Sequence, residues 1–548
     1  MMKTTIQFLT KMLILTVLFS GCRNLTEVRP EFWFIKKGEV SDLVSSGVNW
    51  TTSKGSLNGS GVNNYLVAGQ LPAEGDFRVH VRLSLDSLHF SAASLMIGGN
   101  HFGFDVKSED GRSALFVEGP LFGKAFPVPG SEGKIKAGVP FDADVVLAGS
   151  EVSFLINGEK LFSKVLTGSL NGILALRPWR SAMRVVEFGA SGNLVPVSKL
   201  TWLFESGTSG YHTFRIPAIV TTTKGTLLAF CEGRKNSSSD TGDIDLVMKR
   251  SHDGGKTWSD LSVIWDDGLN VCGNPAPVVD RSTGTIFLLS TWNLGSDSES
   301  EIIVQNSKDT RRVFVLQSTD DGLSWSAPKE ITTSVKKPNW TWYATGPCHG
   351  IQTEKGPAQG RLIIPCDHIE AVTNEYFSHI IYSDDHGKSW KLGGVTPQEQ
   401  VNECTLAELT DGRLMLNMRN YDRTQNTRKI SISENGGLQW GNIYPDLTLI
   451  EPICQASLLT HSFADNGAGK MLFLNPANET QRVNMTLRLS VDEGKSWAKS
   501  LVLHPGPSAY SDMTVLTNGN VGCFYEAGYV SPYQGIVYQE VPVAELEK

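Results

Sequence analysis

The sequence lacks the periodic spacing of apolar residues that long amphipathic helices need. Among its 548 residues we find no long segment with apolar side chains at positions i, i+3, i+4 and i+7. Glycine is frequent, with 54 residues, which favours turns and short strands. The chain is also too long for one domain of average size. We therefore expect a mostly β protein with two or three domains.

A surplus of positive charge is missing as well. The formal net charge is −8, whereas a protein that binds nucleic acid needs a basic surface. We therefore expect no nucleic-acid partner. Because the overall field would repel an anionic ligand, such a ligand would have to be held by a local cluster of arginines.

After the N-terminal segment, no apolar run is long enough to cross a membrane. That segment has lysines at 3 and 11, an apolar run from Met12 to Phe19, and then Ser-Gly-Cys22, which predicts a signal peptide over residues 1–22. Cys22 resembles the lipid-bearing cysteine of bacterial lipoproteins, although Phe19 replaces the usual leucine, and ordinary cleavage is the alternative. We expect an exported lipoprotein, periplasmic or attached to the outer membrane or cell surface, whose only membrane contact is the lipid on Cys22.

Disulfide and metal-binding patterns are also missing. The remaining seven cysteines are widely spaced, odd in number and without a C-x-x-C pair, so we expect buried free thiols. Cys366 and His368 are close enough to suggest a metal site. No further Cys or His lies at ligand spacing, so we expect no metal and no cofactor there.

What the sequence does contain is an eight-residue pattern that occurs five times at intervals of roughly 60 residues, a period that fits propeller blades. Asp and Gly tolerate a tight hairpin turn, and the following tryptophan buries its ring against an adjoining strand. We interpret the five aspartates as structural, because a catalytic site needs one constellation and not five copies. The fourth copy has Asn435 and Gln439 at two of the key positions, which predicts a weaker turn. The copies are SHDGGKTW at 251, STDDGLSW at 318, SDDHGKSW at 383, SENGGLQW at 433 and SVDEGKSW at 490.

The pattern S-x-D-x-G-x-[ST]-W resembles the Asp-box of the sialidase (neuraminidase) superfamily. The resemblance implies an all-β fold with a six-bladed β-propeller over residues 200–548. Asp-boxes also occur in other propellers and in receptor domains, so the site residues must decide the function.

Residues 27–195 contain no Asp-box and show the alternation of apolar and polar residues that predicts a β-sandwich. This region resembles the jelly-roll or lectin-like modules of secreted glycosidases. Trp33, Trp50 and Trp179 are candidate platforms for sugar stacking, and the alternative is a domain with a purely structural role.

Three arginines stand in segments that match the sialidase pattern. FRIPAIV, starting at 214, resembles the motif whose arginine, here Arg215, helps to bind the substrate carboxylate; LMLNMRNYD places Arg419 as the second member. NETQRVNMTLRLS offers Arg482 as the third, with Arg488 as the alternative. A planar guanidinium group binds a carboxylate through two parallel hydrogen bonds, which suits this role.

The segment after the first of these motifs supplies a candidate acid. By resemblance, Arg234 contacts the sugar hydroxyl at position 4, and Asp240 is the general acid/base that protonates the leaving oxygen and later activates water. Asp243 and Asp245 are local alternatives, which we interpret as solvent-facing or structural because they alternate with apolar strand residues.

Two further segments complete the resemblance. Tyr510 in AYSD is the implied nucleophile, and Glu403 is the residue that accepts its proton. Glu526 in FYE is implied to support Arg215. The alternatives are Glu408 as a strand-end or salt-bridge residue and Tyr525 as a core residue.

This ordered set implies an exo-α-sialidase that hydrolyses terminal sialic acid with retention of configuration, without a cofactor and as a monomer. Its partners would be sialylated glycans. A non-catalytic sialic-acid lectin and a transglycosylating relative are the alternatives.

Overall fold

A computed structural model describes residues 30–42, 44, 50–62, 64–72, 74–195, 197, 199–464 and 469–547. The predicted signal peptide and Cys22 lie outside these residues. In the described part of the chain, no helix has both the length and the apolar character to span a bilayer. The chain divides into two compact units, one up to Lys199 and one from Leu200 onward.

The first unit consists of two antiparallel sheets, of nine and six strands, that enclose one hydrophobic core. Alternation explains the arrangement, since strands such as Phe77–Leu85 turn every second side chain inward. Among the three candidate platforms, Trp50 packs against this core, while Trp33 lies edge-on to His80 and Trp179 covers the Arg177 guanidinium group. The strands of the first sheet are β1 (Phe32–Lys36), β2 (Glu39–Val40), β3 (Trp50–Ser53), β4 (Ser56–Gly61), β6 (Phe77–Leu85), β11 (Phe141–Ala148), β12 (Glu151–Ile156), β13 (Glu159–Val165) and β15 (Trp179–Ser191), and those of the second are β5 (Leu66–Leu71), β7 (Ser94–Ile97), β8 (Asn100–Lys107), β9 (Ser113–Gly119), β10 (Gly123–Pro127) and β14 (Gly172–Arg177).

The second unit is a ring of six antiparallel blades that contact each other in order around the axis, mainly through their first strands. Blade 6 combines the C-terminal strands with β16, so that the two ends of the unit close the ring. Blade 1 consists of β17 (Thr213–Thr221), β18 (Leu227–Arg234), β19 (Ile244–Ser251) and β20 (Ser262–Trp265), and blade 2 of β21 (Val271–Val279), β22 (Ile286–Asn293), β23 (Arg312–Ser318) and β24 (Lys329–Glu330). Blade 3 consists of β25 (Trp340–Thr345), β26 (Ile351–Gln352), β27 (Leu362–Glu370), β28 (Tyr376–Ser383) and β29 (Lys391–Val395), and blade 4 of β30 (Val401–Glu408), β31 (Leu414–Asn420), β32 (Thr427–Ser433) and β33 (Tyr444–Ile450). Blade 5 consists of β34 (Ser457–Ser462), β35 (Lys470–Pro476), β36 (Val483–Ser490) and the first half of β37 (Lys499–Val515), and blade 6 of the second half of β37, β38 (Val521–Ala527), β39 (Gly535–Val541) and β16 (Trp202–Glu205). Within the described residues, the short helices are α1 (Glu299–Ile303), α2 (Thr332–Val335) and α3 (Val543–Glu547).

The five Asp-boxes form the turns that lead into the last strand of blades 1 to 5. In the last copy, Asp492 accepts hydrogen bonds from the backbone N–H of Ser496 at 2.9 Å and from its hydroxyl at 2.6 Å. The tryptophans of the boxes join neighbouring blades: Trp390 of blade 3 packs against Phe287 of blade 2 with ring centres 6.0 Å apart. The repeat therefore stabilises both the turn and the blade-to-blade contact.

The seven cysteines predicted to be free thiols are all buried, and none of them forms a disulfide in the part of the chain that the structure describes. That prediction is confirmed. An all-β fold, with a sandwich followed by a six-bladed propeller, is confirmed as well.

Candidate active site

The predicted site residues meet at one end of the propeller because the strands of each blade alternate in direction. First strands start at this end, which places Arg215, Glu403 and Tyr510 there, and second strands finish at it, which places Arg234 and Arg419 there. The pairing of first and second strands shifts register at this end, between Arg215 and Ala218 in blade 1 and between Val401 and Cys404 in blade 4. Such bulges redirect side chains next to functional sites.

Arg215 pairs with a buried carboxylate. Its Nε donates to Glu526 Oε1 at 2.7 Å, and Glu526 also accepts the backbone N–H groups of Ile216 at 2.9 Å and of Tyr510 at 3.0 Å. Burial opposes the charge on Arg215, but Glu526 outweighs burial and raises the pKa of Arg215 well above its usual value. Glu526, which is completely buried, therefore keeps the guanidinium charged and links it to the backbone of Tyr510.

Three guanidinium groups surround the Tyr510 ring. The Arg419 Nη1 donates to Glu403 and, at 3.0 Å, to the Tyr510 hydroxyl. The Cζ atoms of Arg215 and Arg482 lie 5.1 and 5.6 Å from the centre of that ring. Arg488, the alternative to Arg482, donates to Asn475 within blade 5 and does not line the cavity. The structure thus brings together Arg215, Arg419 and Arg482.

Tyr510 and Glu403 form a close pair. The tyrosine hydroxyl donates to Glu403 Oε1 at 2.6 Å. Burial raises the pKa of the Tyr510 phenol well above its usual value and the charge of Glu403 adds to this effect, while the three arginines act in the opposite direction. The phenol is therefore neutral, and a carboxylate is in contact with its proton.

Asp240 lies at the rim of the cavity, with 61% of its side chain exposed, and accepts a hydrogen bond from Arg234 Nη2 at 2.6 Å. The Arg234 Nη2 also donates to Glu232 Oε2 at 2.6 Å. Although this side chain is largely exposed, the surrounding protein removes part of its hydration and so opposes ionisation, but Arg234 and Arg215 outweigh that effect and lower the pKa of the Asp240 carboxyl group. Asp240 is therefore ionised while no ligand is bound.

The residues that the sequence left as alternatives make structural contacts outside the set of residues described above. Glu408 accepts the backbone N–H groups of residues 354 and 355, and the Tyr525 hydroxyl donates to Gln539. Asp243 and Asp245 form, with Asp266, an acidic cluster with the spacing of metal ligands. The Lys235 Nζ lies 3.0, 3.1 and 3.4 Å from these three carboxylates and balances their charge.

The site residues surround a cavity of about 220 Å³. Several residues that line this cavity were not predicted from the sequence. Arg311 is the most constrained of them: its Nε donates to the Tyr343 carbonyl at 2.8 Å, its Nη atoms donate to Asn293 and Asn274, and the Trp342 ring covers it at 3.9 Å. Burial lowers the pKa of Arg311 to about 10. The unassigned lining residues include Asn274, Glu299, Arg311, Trp342, Asp367 and Tyr421.

One of these residues left a signal in the sequence. Gly-Asn274-Pro-Ala occupies the same place at the start of blade 2 as Arg-Ile216-Pro-Ala does in blade 1, with the same register shift. Aligning the first strands of the blades would have identified Asn274. For Asp367 the signal is a carboxylate inside the strand LIIPCDHIE, directly after five apolar residues.

Comparison with known proteins places the chain in a family. Residues 225–523 match the model of the BNR repeat-like domain. The chain is 34% identical over 334 residues to a sialidase of Micromonospora viridifaciens, covering 59% of this chain and 51% of the relative, so it spans about half of that protein's length. It is 30% identical over 362 residues to an exo-alpha-sialidase of Aspergillus fumigatus, covering 60% of this chain and 81% of the relative.

A solved structure agrees with these relatives. A Hadza microbial sialidase has a similar fold, with a TM-score of 0.58 and 25% identity, covering 87% of this chain and 95% of that one. The relationship predicted from the Asp-boxes is confirmed, and the chain belongs to the sialidase family.

Proposed function

We propose that the protein is an exo-α-sialidase that hydrolyses terminal sialic acid from glycoproteins, glycolipids and oligosaccharides with retention of configuration. The observation that carries the proposal is the 2.6 Å contact between Tyr510 and Glu403 within a ring of three arginines. Arg215, Arg419 and Arg482 would bind the sugar carboxylate, which supplies the anion that three converging cations require.

In the first step, the Tyr510 oxygen attacks the anomeric carbon while Glu403 takes the phenolic proton. The bond to the leaving oxygen breaks, and Asp240 gives that oxygen a proton. A neutral phenol suits this attack because the anomeric carbon carries a carboxylate, which would repel an anionic nucleophile; tyrosine is known as the nucleophile of sialidases.

In the second step, Asp240 takes a proton from water as the water oxygen attacks the anomeric carbon. The bond from this carbon to Tyr510 breaks, and the phenoxide recovers its proton from Glu403. Two displacements at one carbon give net retention. Asp240 must be protonated to act as the acid, and the substrate carboxylate supports this state because it offsets the charge of Arg215, one of the groups that lower the pKa of Asp240.

The test is Tyr510→Phe, with release of sialic acid measured on 3′-sialyllactose and sialic-acid binding measured by calorimetry. We expect turnover to fall by at least about 10³-fold while binding is retained, since the phenol acts as nucleophile and not as carboxylate ligand. Tyr525→Phe, which changes a tyrosine in the adjoining strand, is the matched control and should keep turnover. Unchanged turnover in Tyr510→Phe would remove the nucleophile assignment.

Two observations separate the alternatives. Wild-type protein that binds sialic acid without releasing it from any sialoside would be a lectin. New sialylated or anhydro products in the presence of lactose would identify transfer in place of hydrolysis.

A further inference from the structure

A second cavity, of about 320 Å³, lies on the propeller axis at the end opposite the candidate active site. The first strands of the blades start at the active-site end and finish at this one, and all six blades line the second cavity. Tyr510 and Val515, five residues apart on β37, line different cavities, which corresponds to roughly 16 Å along an extended strand. Among the described residues, the two cavities share no lining residue, so the second cavity is a separate space that the steps above do not use.

His349 is a buried lining residue of the second cavity with hydrogen-bonding capacity left over. It follows β25 in blade 3 and is 5% exposed. Its Nδ1 lies 2.6 Å from Asp512 Oδ1, and its backbone N–H donates to Asp512 Oδ2 at 3.0 Å. Its Nε2, on the other side of the ring, has no partner within the part of the chain that the structure describes. Buried polar atoms are nearly always paired, so this nitrogen indicates a group that a ligand would supply.

The contact with Asp512 prepares the His349 ring to donate a hydrogen bond from Nε2. Because Nδ1 faces a carboxylate, Nδ1 carries a proton, and a second proton on the ring is bound at Nε2. Burial lowers the pKa of the His349 imidazole, but the charge of Asp512 and its hydrogen bond outweigh burial and raise this pKa above its usual value. A charged imidazole forms its strongest hydrogen bonds with anionic acceptors.

The acidic side chains that line the second cavity have other partners. Glu408 accepts two backbone N–H groups, and Glu354 pairs with Arg281 at the exposed rim. His461 donates from Nε2 to the Gly519 carbonyl at 2.8 Å, which leaves its Nδ1 as another nitrogen without a partner among the described residues. A ligand must therefore bring the anionic acceptor for His349.

The remaining wall of the second cavity is mainly apolar. A cavity with an apolar wall and a few polar groups is typical of sites for small molecules, in which the polar groups fix the orientation of the ligand. Each methylene group of a ligand that is buried against such a wall adds to its affinity. The apolar lining residues include Ile219, Val279, Ile351, Leu459, Phe463 and Val515.

We propose that the second cavity binds a small monocarboxylate with an apolar body, whose carboxylate accepts a hydrogen bond from His349 Nε2 while the body packs against the apolar wall. This inference goes beyond the proposed function and does not depend on it, because the second cavity contains none of the residues that act on the sugar.

Calorimetry on the full-length protein with three probes tests the chemistry of the site. Hexanoate has both a carboxylate and an apolar chain, hexanamide has the chain without the charge, and acetate has the charge without the chain. We expect saturable binding of hexanoate with a Kd of about 10 mM or tighter. Hexanamide and acetate should each bind at least about tenfold more weakly. Absence of saturable hexanoate binding overturns the inference, and so does hexanamide that binds as tightly as hexanoate.

Two variants locate the bound hexanoate. His349→Asn removes Nε2 while its amide nitrogen can keep the contact with Asp512, and it should weaken hexanoate binding at least about tenfold. Arg482→Ala, in the candidate active site, is the control and should leave hexanoate binding unchanged. The reverse pattern, with binding lost in Arg482→Ala and kept in His349→Asn, would mean that the active-site arginines hold the carboxylate, and it overturns the inference.

A filling variant keeps the test decisive if His349→Asn does not fold. Thr460 lines the second cavity and is half-buried, so Thr460→Trp places a large ring in the cavity without disturbing the core of a blade. Hexanoate binding should be lost in this variant, and binding at the wild-type Kd overturns the inference. Failure of the proposed function would show as absence of sialoside turnover, which none of these binding measurements uses.

Discussion

Glu526 offers the sharpest test of how the fold and the site depend on each other. This carboxylate is completely buried, and in Glu526→Ala the Arg215 guanidinium would lose its only acidic contact among the described residues. Leaving one member of a buried ion pair without its partner costs about 3–5 kcal/mol. The backbone N–H groups of Ile216 and Tyr510 would also lose their acceptor, at roughly 1–3 kcal/mol each before any relaxation. We therefore expect the free energy of unfolding to fall by at least about 3 kcal/mol.

Urea unfolding followed by tryptophan fluorescence measures this loss. Glu408→Ala is the matched control, since Glu408 is also buried and accepts two backbone N–H groups but forms no ion pair within the described residues. It should cost only about 1–3 kcal/mol and leave KM for sialoside unchanged. In Glu526→Ala, KM should rise because Arg215 and Tyr510 lose their common support. A loss of stability no larger than that of the control, together with an unchanged KM, would refute this reasoning.

Two further predictions follow from other groups. Asp240→Asn should slow hydrolysis of 3′-sialyllactose far more than that of an aryl sialoside whose leaving group needs no acid, and the fall of wild-type kcat/KM on the lactoside with rising pH should disappear in this variant; equal losses on both substrates would contradict the role of acid. In the third Asp-box, burial opposes ionisation, but hydrogen bonds from Ser389 and Ser383 outweigh it and lower the pKa of Asp385 to about 2. Because this folded-state pKa lies below the unfolded value of about 3.9, the stabilisation is present above about pH 4 and is lost as the pH falls toward 2. Asp385→Ala should therefore lower the melting temperature at pH 7, and its difference from wild type should shrink over that acid range; Asn435→Ala, which removes no charge, should show no such pH dependence.

Local chemistry made the propeller and several site residues predictable. Each Asp-box describes one hairpin through contacts between residues two and four positions apart, so its pattern is visible in the chain without the fold. The motifs around Arg215 and Tyr510 could be recognised for the same reason, since short contiguous segments set their positions.

The choice between neighbouring arginines needed the tertiary structure. Arg482 precedes β36 at the end where the cavity lies, whereas Arg488 stands six residues along that strand, or about 20 Å at 3.3 Å per residue. Which end of the strand faces the cavity depends on the direction of the strand in the assembled blade.

By itself, the sequence determined the all-β class, the repeated turns and the set of candidate groups, because these depend on residue type and short spacing. Only the tertiary structure decided that Arg311, Glu299 and Asp367 share a cavity with Tyr510, since they come from different blades and no local pattern joins them. It also decided the charge states, because burial and neighbours distant in sequence set the pKa of Tyr510, Asp240 and Asp367.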